Sequence, residues 1–181
     1  GTALLTKKIV KAIPKSILSK VLGDMKRSEV LEIMKSGANI YQDLPKGYRL
    51  DTESALSVIK IHPSSYKHFS EDIRKNPCVA RYALEQMDEF EEGLMAAVPE
   101  ATALELKDFL LSEKYRSYLL PVLYSNPDLY KELPAILKYD ERFALQTLDK
   151  DTDIYKCFPD KIKSIATVAK RALIKDVKKG H

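Results

Sequence analysis

The histidines come first among residues that could do chemistry, because imidazole serves as a general base and as a metal ligand near neutral pH. The chain has three, at positions 62, 68 and 181. His62 and His68 are six residues apart, and neither belongs to an H-E-x-x-H pattern, which would place two zinc ligands on one helical face. We predict surface or helix-capping roles for them, with no metal site and no catalytic residue.

Acids at alternate positions resemble the opening of a calcium-binding loop in one later segment. Asp149, Asp151 and Asp153 have the spacing of the first ligands, and Asp160 stands at the twelfth position of such a loop. The sixth position needs glycine for its sharp turn and is Ile154 instead. We therefore interpret these acids as a polar turn with helix-capping side chains.

The cysteines and glycines give no sign of redox or nucleotide chemistry. Cys78 and Cys157 lie far apart in the sequence, and neither belongs to a C-x-x-C pair, so a reducing compartment such as the cytoplasm is the simpler interpretation. The glycines are isolated and form no phosphate-binding loop. No run of apolar residues is long enough for a membrane span. We expect a soluble protein with no cofactor and no small-molecule substrate.

Positive charge is concentrated at both ends of the chain. The first 22 residues carry five lysines and no acid, and residues 161–181 carry seven cations against one acid. Because the net charge is only +4, the centre must be acidic. The candidate phosphate-binding residues at the two ends are Lys7, Lys8, Lys11, Lys15, Lys170, Arg171, Lys175, Lys178 and Lys179.

Apolar residues recur every four positions within both basic ends, which predicts amphipathic helices. The two series are Leu5, Ile9, Ile13, Ile17 and Val21, and Ile165, Ala169, Leu173 and Val177. Such helices could contact nucleic-acid phosphates, lie on an anionic membrane surface or dock in a partner's groove. Alternatively they cap a helical stack, with the apolar face on the core and the lysines in water.

A repeat of 25 residues becomes visible when the sequence is aligned with itself. Tyr41 then aligns with Tyr66, and Tyr130 aligns with Tyr155. Large apolar residues stand three and seven positions after each tyrosine. Other apolar residues stand eleven, ten and seven positions before it. The positions at +3 and −7 are Leu44, Phe69, Leu133 and Phe158, and Met34, Ile59, Leu123 and Leu148.

The apolar positions of each repeat have the spacing i, i+1 and i+4, which is that of one helical face. Turn-forming residues follow, and then a short helix that ends near a proline, at position 45, 134 or 159. Such a unit cannot bury its apolar face alone, and stacking on its neighbours solves that problem. We therefore predict an all-α fold, a right-handed, α-solenoid-like stack of helix-turn-helix repeats in a single compact domain.

The stretch from Tyr118 to Leu173 resembles the helical repeats called domain of unknown function 4116. The residues that carry the resemblance include Asn126-Pro127-Asp128-Leu129-Tyr130, Leu133-Pro134, Tyr155 and Phe158-Pro159. The family occurs in bacterial proteins, including effector-like proteins of intracellular bacteria, and in large viruses. It has no assigned activity, so the resemblance implies a helical-repeat fold and, for an effector-like member, delivery into a host cytosol.

The register also predicts how the chain is organised. A basic N-terminal cap (residues 1–24) precedes three repeats (25–99), an insertion (100–113), two repeats (114–164) and a basic C-terminal helix (165–181). The third repeat keeps Ala80, Leu84, Leu94 and Val98 in register but has Glu91 where tyrosine is expected.

The acidic segment of the third repeat is the predicted contact for another protein. Its candidate protein-binding residues are Asp88, Glu89, Phe90, Glu91 and Glu92, at the start of an acidic insert that extends to Glu113. Insertions in repeat proteins often map to the binding face, although a solvated helix face would have the same composition. We predict a non-enzymatic protein–protein interaction module. The alternative is nucleic-acid or anionic-membrane binding through the basic terminal helices.

Overall fold

The computed structural model describes residues 2–86 and 93–179, and every regular element within these ranges is helical. No β-strand occurs among these residues, so the all-α prediction is confirmed. The chain divides into two compact units, Gly1–Ala97 and Val98–His181. This boundary falls just before the predicted end of the third repeat. The right-handed stack and the single domain stay predictions.

The first unit contains six α-helices and two 3₁₀ helices within its described residues. The α-helices are α1 (Thr2–Ala12), α2 (Lys15–Gly23), α3 (Arg27–Lys35), α4 (Thr52–Ile61), α5 (Glu71–Arg74) and α6 (Pro77–Glu85), and the 3₁₀ helices are Tyr41–Asp43 and Pro63–His68. Helix α4 packs against α3 and α6, as the repeat register predicts for neighbouring long helices.

The second unit contains seven α-helices and two 3₁₀ helices in the part of it that the structure describes. The α-helices are α7 (Glu100–Glu105), α8 (Lys107–Leu110), α9 (Glu113–Ser125), α10 (Ala135–Lys138), α11 (Glu141–Thr147), α12 (Asp160–Lys163) and α13 (Ala166–Lys179), and the 3₁₀ helices are Pro127–Glu132 and Thr152–Cys157. Helix α11 packs against α9 and α13.

Each complete repeat has one element more than the sequence predicts. A long helix is followed by a six-residue 3₁₀ helix with the tyrosine at its fourth position, by one extended apolar residue, and by an α-helix of a single turn. These single-turn helices are α5, α10 and α12, and Ser70, Pro134 and Pro159 immediately precede them. In the Tyr41 repeat, a hydrogen-bonded turn from Pro45 to Tyr48 replaces the single-turn helix.

The repeat tyrosines hold these single-turn helices in place. The hydroxyl of Tyr66 donates to the carbonyl of Arg74 at 2.7 Å, that of Tyr130 to Lys138 at 3.0 Å and that of Tyr155 to Lys163 at 2.7 Å. Each acceptor is the last residue of α5, α10 or α12. A single-turn helix leaves its final carbonyls without partners inside the helix, and the tyrosine eight residues earlier satisfies one of them.

Tyr41 is the exception because its repeat lacks the single-turn helix. Its hydroxyl is buried and makes no hydrogen bond of standard geometry within the described part of the chain. Burial raises the pKa of Tyr41 to about 12, an effect that the nearby Ser65 hydroxyl only partly offsets. The repeat position of Tyr41 therefore has the aromatic ring of the other repeats but not the hydrogen bond from its hydroxyl to a carbonyl.

Aromatic contacts join consecutive repeats in the same way in both units. The Phe69 ring packs edge-on against Tyr66 of its own repeat and against Tyr41 of the preceding one, with centroids 6.2 and 5.5 Å apart. Phe158 contacts Tyr155 of its own repeat at 5.7 Å and the preceding Tyr130 at 4.9 Å. Within each unit, the predicted tyrosine and phenylalanine positions therefore form one continuous core.

Polar side chains cap the first turn of four of the long helices. Asp51 accepts from the Ser54 amide, Asn76 from those of Cys78 and Val79, Ser112 from that of Tyr115 and Asp140 from that of Arg142. Pro127 and Thr152 are the first residues of their 3₁₀ helices, and Asp151 caps the second of these.

The described part of the predicted insertion is core rather than a protruding loop. Residues 100–110 contain α7 and α8, and the buried residues there include Ala103, Leu110 and Leu106, which lies between the two helices. Glu100 also accepts a hydrogen bond from the Ala135 amide at 3.3 Å, which ties α7 to α10. The buried residues of α7 and α8 cannot form a contact surface. Of the predicted acidic insert, the acidic segment at its start therefore stays the candidate.

Two substitutions in the first unit test the tyrosine–carbonyl interaction. Tyr66→Phe should lower the free energy of unfolding by about 1 kcal/mol, because it leaves the Arg74 carbonyl without its donor. Tyr41→Phe should be neutral or slightly stabilising, because it removes a buried hydroxyl that lacks a hydrogen bond. Urea denaturation monitored by circular dichroism gives both values. Equal losses for the two variants would contradict this role of the hydroxyl.

Candidate functional site

The apolar face predicted for the last helix is not the face that packs on the core. Val168 and Ala172 of α13 are buried, whereas Leu173 and Val177 of the predicted series are exposed. A spacing of four residues advances about 40° around the helix at each step, so a long series with this spacing cannot stay on one side. The alternative that this apolar series packs on the core is therefore contradicted at Leu173 and Val177, whereas Ile165 and Ala169 are half-buried.

Leu173 differs from every equivalent residue of the internal repeats. The equivalent positions are Met34, Ile59, Leu123 and Leu148, and the most exposed of them shows 1% of its surface. Leu173 is 67% exposed, and Ile174 and Val177 beside it are exposed as well. In the internal repeats, a 3₁₀ helix that contains the repeat tyrosine follows this position. After Leu173, the residue that aligns with that tyrosine is Gly180, 25 residues after Tyr155.

Three of the five predicted cations on α13 already make contacts within the chain. Arg171 and Lys175 both contact the Asp149 carboxylate, with N–O distances of 3.4 and 3.8 Å, and the Lys179 ammonium donates to the Lys150 carbonyl at 2.5 Å. Lys170 and Lys178 are exposed. Of the five predicted phosphate-binding residues on α13, Lys170 and Lys178 could therefore bind a phosphate without breaking a contact within the chain.

A small cleft lies beside this helix. Its volume is about 250 Å³, and it is lined by Leu148, Asp149, Lys150, Thr152, Lys175, Lys178 and Lys179. Sequence reasoning missed Lys150. The repeat register could have found it, because Lys150 stands 25 residues before Lys175 and equivalent positions of stacked repeats lie side by side. Asp149 and two helix C-termini at this cleft offset much of the charge of its lysines.

The apolar series of the N-terminal segment also fails to face the core. Leu5, Ile9 and Ile17 are exposed, and the buried residues of this segment are Leu18 and Leu22 of α2. The physical reason is Pro14, whose extended backbone separates α1 from α2. The two helices therefore do not share one apolar stripe.

The lysines of α1 make fewer contacts within the chain than the cations of α13. Lys15, at the start of α2, forms an ion pair with Asp43, with an Nζ–Oδ2 distance of 2.8 Å. The aliphatic stem of Lys7 lies against the turn at Gly37, whose φ of +87° favours glycine. Lys8 and Lys11 are exposed.

The five acidic-segment residues proposed for protein binding lie outside the described residues. They are Asp88, Glu89, Phe90, Glu91 and Glu92. The interpretation of this segment as a protein contact stays a prediction.

The residues considered for chemistry have structural roles in the folded chain. His62 shares its Nδ1 with the Ser64 and Ser65 hydroxyls at 3.1 Å, and the ring of His68 stacks on Tyr41. Asp151 caps its 3₁₀ helix, and Asp149 pairs with cations of α13. Across residues 2–86 and 93–179, no three side chains of the metal-binding types come together.

No described helix has both the length and the apolar composition needed to cross a membrane. Comparisons with protein-family models, with curated proteins and with solved structures find no match for this chain. The resemblance to the domain of unknown function 4116 repeats therefore stays a prediction.

A pair of equivalent leucines tests the exposed face of α13. Leu148→Ala should lower the free energy of unfolding by about 2–5 kcal/mol, as for other fully buried leucines. Leu173→Ala should change it by less than about 0.5 kcal/mol, because the side chain is mostly in solvent. Thermal and urea denaturation of both variants check this. A large loss for Leu173→Ala would show that this face is covered in solution.

Proposed function

We propose that this chain is a non-enzymatic helical-repeat module that binds another protein, and that the outward face of α13 is its contact surface. The observation that carries the proposal is the 67% exposure of Leu173 at a position that is buried in the internal repeats. A side chain of this kind loses its contact with water when an apolar surface covers it, which favours association. No catalytic residue is proposed.

The chemistry of this face favours a helical segment as the occupant. Helices α4 and α9, which carry the equivalent residues Ile59 and Leu123, each pack against the 3₁₀ helix that follows them and against the next long helix of their unit. Leu173, Ile174 and Val177 would accept apolar anchors of such a segment, and Lys170 and Lys178 beside them favour acidic residues at its edges. The acidic segment from Asp88 to Glu92 is a second proposed contact.

Affinity capture from lysate with a matched pair of variants tests this function. The wild type and the control Leu104→Ser, which alters a leucine 61% exposed on α7 of the same unit, should recover the same protein. Leu173→Ser/Ile174→Ser should recover at least about tenfold less, because both apolar anchors are truncated. Recovery should survive nuclease and moderate salt, because apolar contacts respond weakly to ions.

Two outcomes would contradict the proposal. Recovery unchanged in Leu173→Ser/Ile174→Ser would remove α13 as the contact. Recovery that disappears with nuclease or salt would favour nucleic-acid binding through the basic ends instead, because phosphate contacts weaken steeply as counterions compete.

A further inference from the structure

We propose that α1 is an interfacial helix that docks on a lipid surface rich in anionic headgroups, with Leu5 and Ile9 inserted between the lipids and Lys8 and Lys11 at the phosphates. The starting observation is that none of the 11 residues of α1 is buried. Leu5 and Ile9 are 58% and 54% exposed, and Leu4 beside them is exposed as well. A helix stabilised by its own unit would instead bury an apolar stripe.

The side of α1 that meets the rest of its unit is already identified by partial burial. Thr6, Lys7 and Val10 are half-buried, and the Lys7 stem lies against the turn at Gly37. The opposite side, which includes Leu5 and Ile9, therefore faces solvent. At about 100° per residue, Leu5, Lys8, Ile9 and Ala12 lie within a sector of about 100°.

The mixture of leucine-type and lysine side chains on one outward face favours a bilayer over other occupants. At a bilayer surface, apolar side chains enter the acyl boundary while the long stems of Lys8 and Lys11 carry their ammonium groups back to the headgroups. A nucleic-acid backbone offers no apolar layer for Leu5 and Ile9. A protein groove would need a carboxylate opposite Lys8, which lies in the same sector as Leu5 and Ile9, and would have to bury that ion pair within the apolar contact.

Charge complementarity selects an anionic surface. The first 22 residues contain five lysines and no acid, and Asp24 is the first carboxylate along the chain. Lys15 is paired with Asp43, which leaves Lys8 on the outward face of α1 and the exposed Lys11 at the edge of that face as the principal charges that a surface would meet. The face of α13 differs, because the Asp149 carboxylate contacts Arg171 and Lys175 and the helix itself carries Asp176.

The absence of tryptophan from the sequence allows a direct positional test with the full chain. Ile9→Trp places a single tryptophan on the proposed face, and Ile61→Trp places one at a residue 60% exposed on α4 of the same unit. With phosphatidylcholine vesicles that contain phosphatidylserine, the fluorescence of Ile9→Trp should shift to shorter wavelength, and that of Ile61→Trp should not. Vesicles of phosphatidylcholine alone should give a much smaller shift.

Vesicle co-sedimentation with paired variants separates the contribution of the apolar side chains from that of the lysines. Leu5→Ser/Ile9→Ser should partition at least about tenfold less, because both inserted side chains are lost. Lys8→Gln/Lys11→Gln should partition roughly fivefold less for each lysine neutralised. The matched control, Lys60→Gln/Ile61→Ser, should behave as the wild type. Because α1 buries no side chain, all variants should retain the wild-type unfolding midpoint, which urea denaturation checks.

Three results would overturn the proposal. One is no shift for Ile9→Trp, or an equal shift at position 61. Another is vesicle binding that persists in Leu5→Ser/Ile9→Ser and is lost only in Lys8→Gln/Lys11→Gln. Such a result would mean that α1 binds negative charge without inserting into the bilayer, as it would bind a soluble polyanion. The third is loss of a protein partner, without vesicle binding, in the same variants. None of these results bears on the α13 contact, because its residues are unchanged.

Discussion

The hydrogen bond from a repeat tyrosine to the carbonyl eight residues later is the constraint on which the single-turn helices of three repeats depend. A helix of one turn has too few internal hydrogen bonds to persist by itself, so α5, α10 and α12 exist because something outside them satisfies their last carbonyls. Tyr130 does this while its ring packs against Phe158 of the next repeat. In this repeat, one side chain therefore fixes the short helix and joins two repeats.

The fold class and most of the core could be predicted from the sequence, because apolar side chains at fixed spacing report directly on burial. The single-turn helices could not, since the acceptor of each tyrosine is a backbone carbonyl, which any residue provides. The position before each tyrosine was missed as well. Ile40, Ser65, Leu129 and Ile154 are all buried there, but Ser65 breaks the apolar pattern that would have revealed it. Ser65 is accommodated because His62 lies within hydrogen-bond distance of its hydroxyl.

The terminal helices show where sequence periodicity stops being informative. The composition of α1 and α13 predicted basic, amphipathic helices, and both are helical with exposed lysines. Which side packs on the core depends on neighbouring elements, and a series spaced by four residues covers several sides at once. Pro14 adds a break that changes the direction of the chain. The candidate surfaces therefore follow from burial in the structure, although the residues that form them were visible beforehand.

The two exposed faces have the same sign of charge, and this limits what they can bind. Lysines accompany the apolar residues on α1 and again on α13. If α1 of one molecule approached α13 of another, apolar contacts would form only by bringing ammonium groups close together. At the separations of a protein contact, this repulsion is only partly screened by physiological salt. Two copies of the chain are therefore poor partners for each other through these faces. Each face instead favours an occupant that supplies apolar surface and negative charge together, and an acidic helical segment or an anionic lipid surface does this.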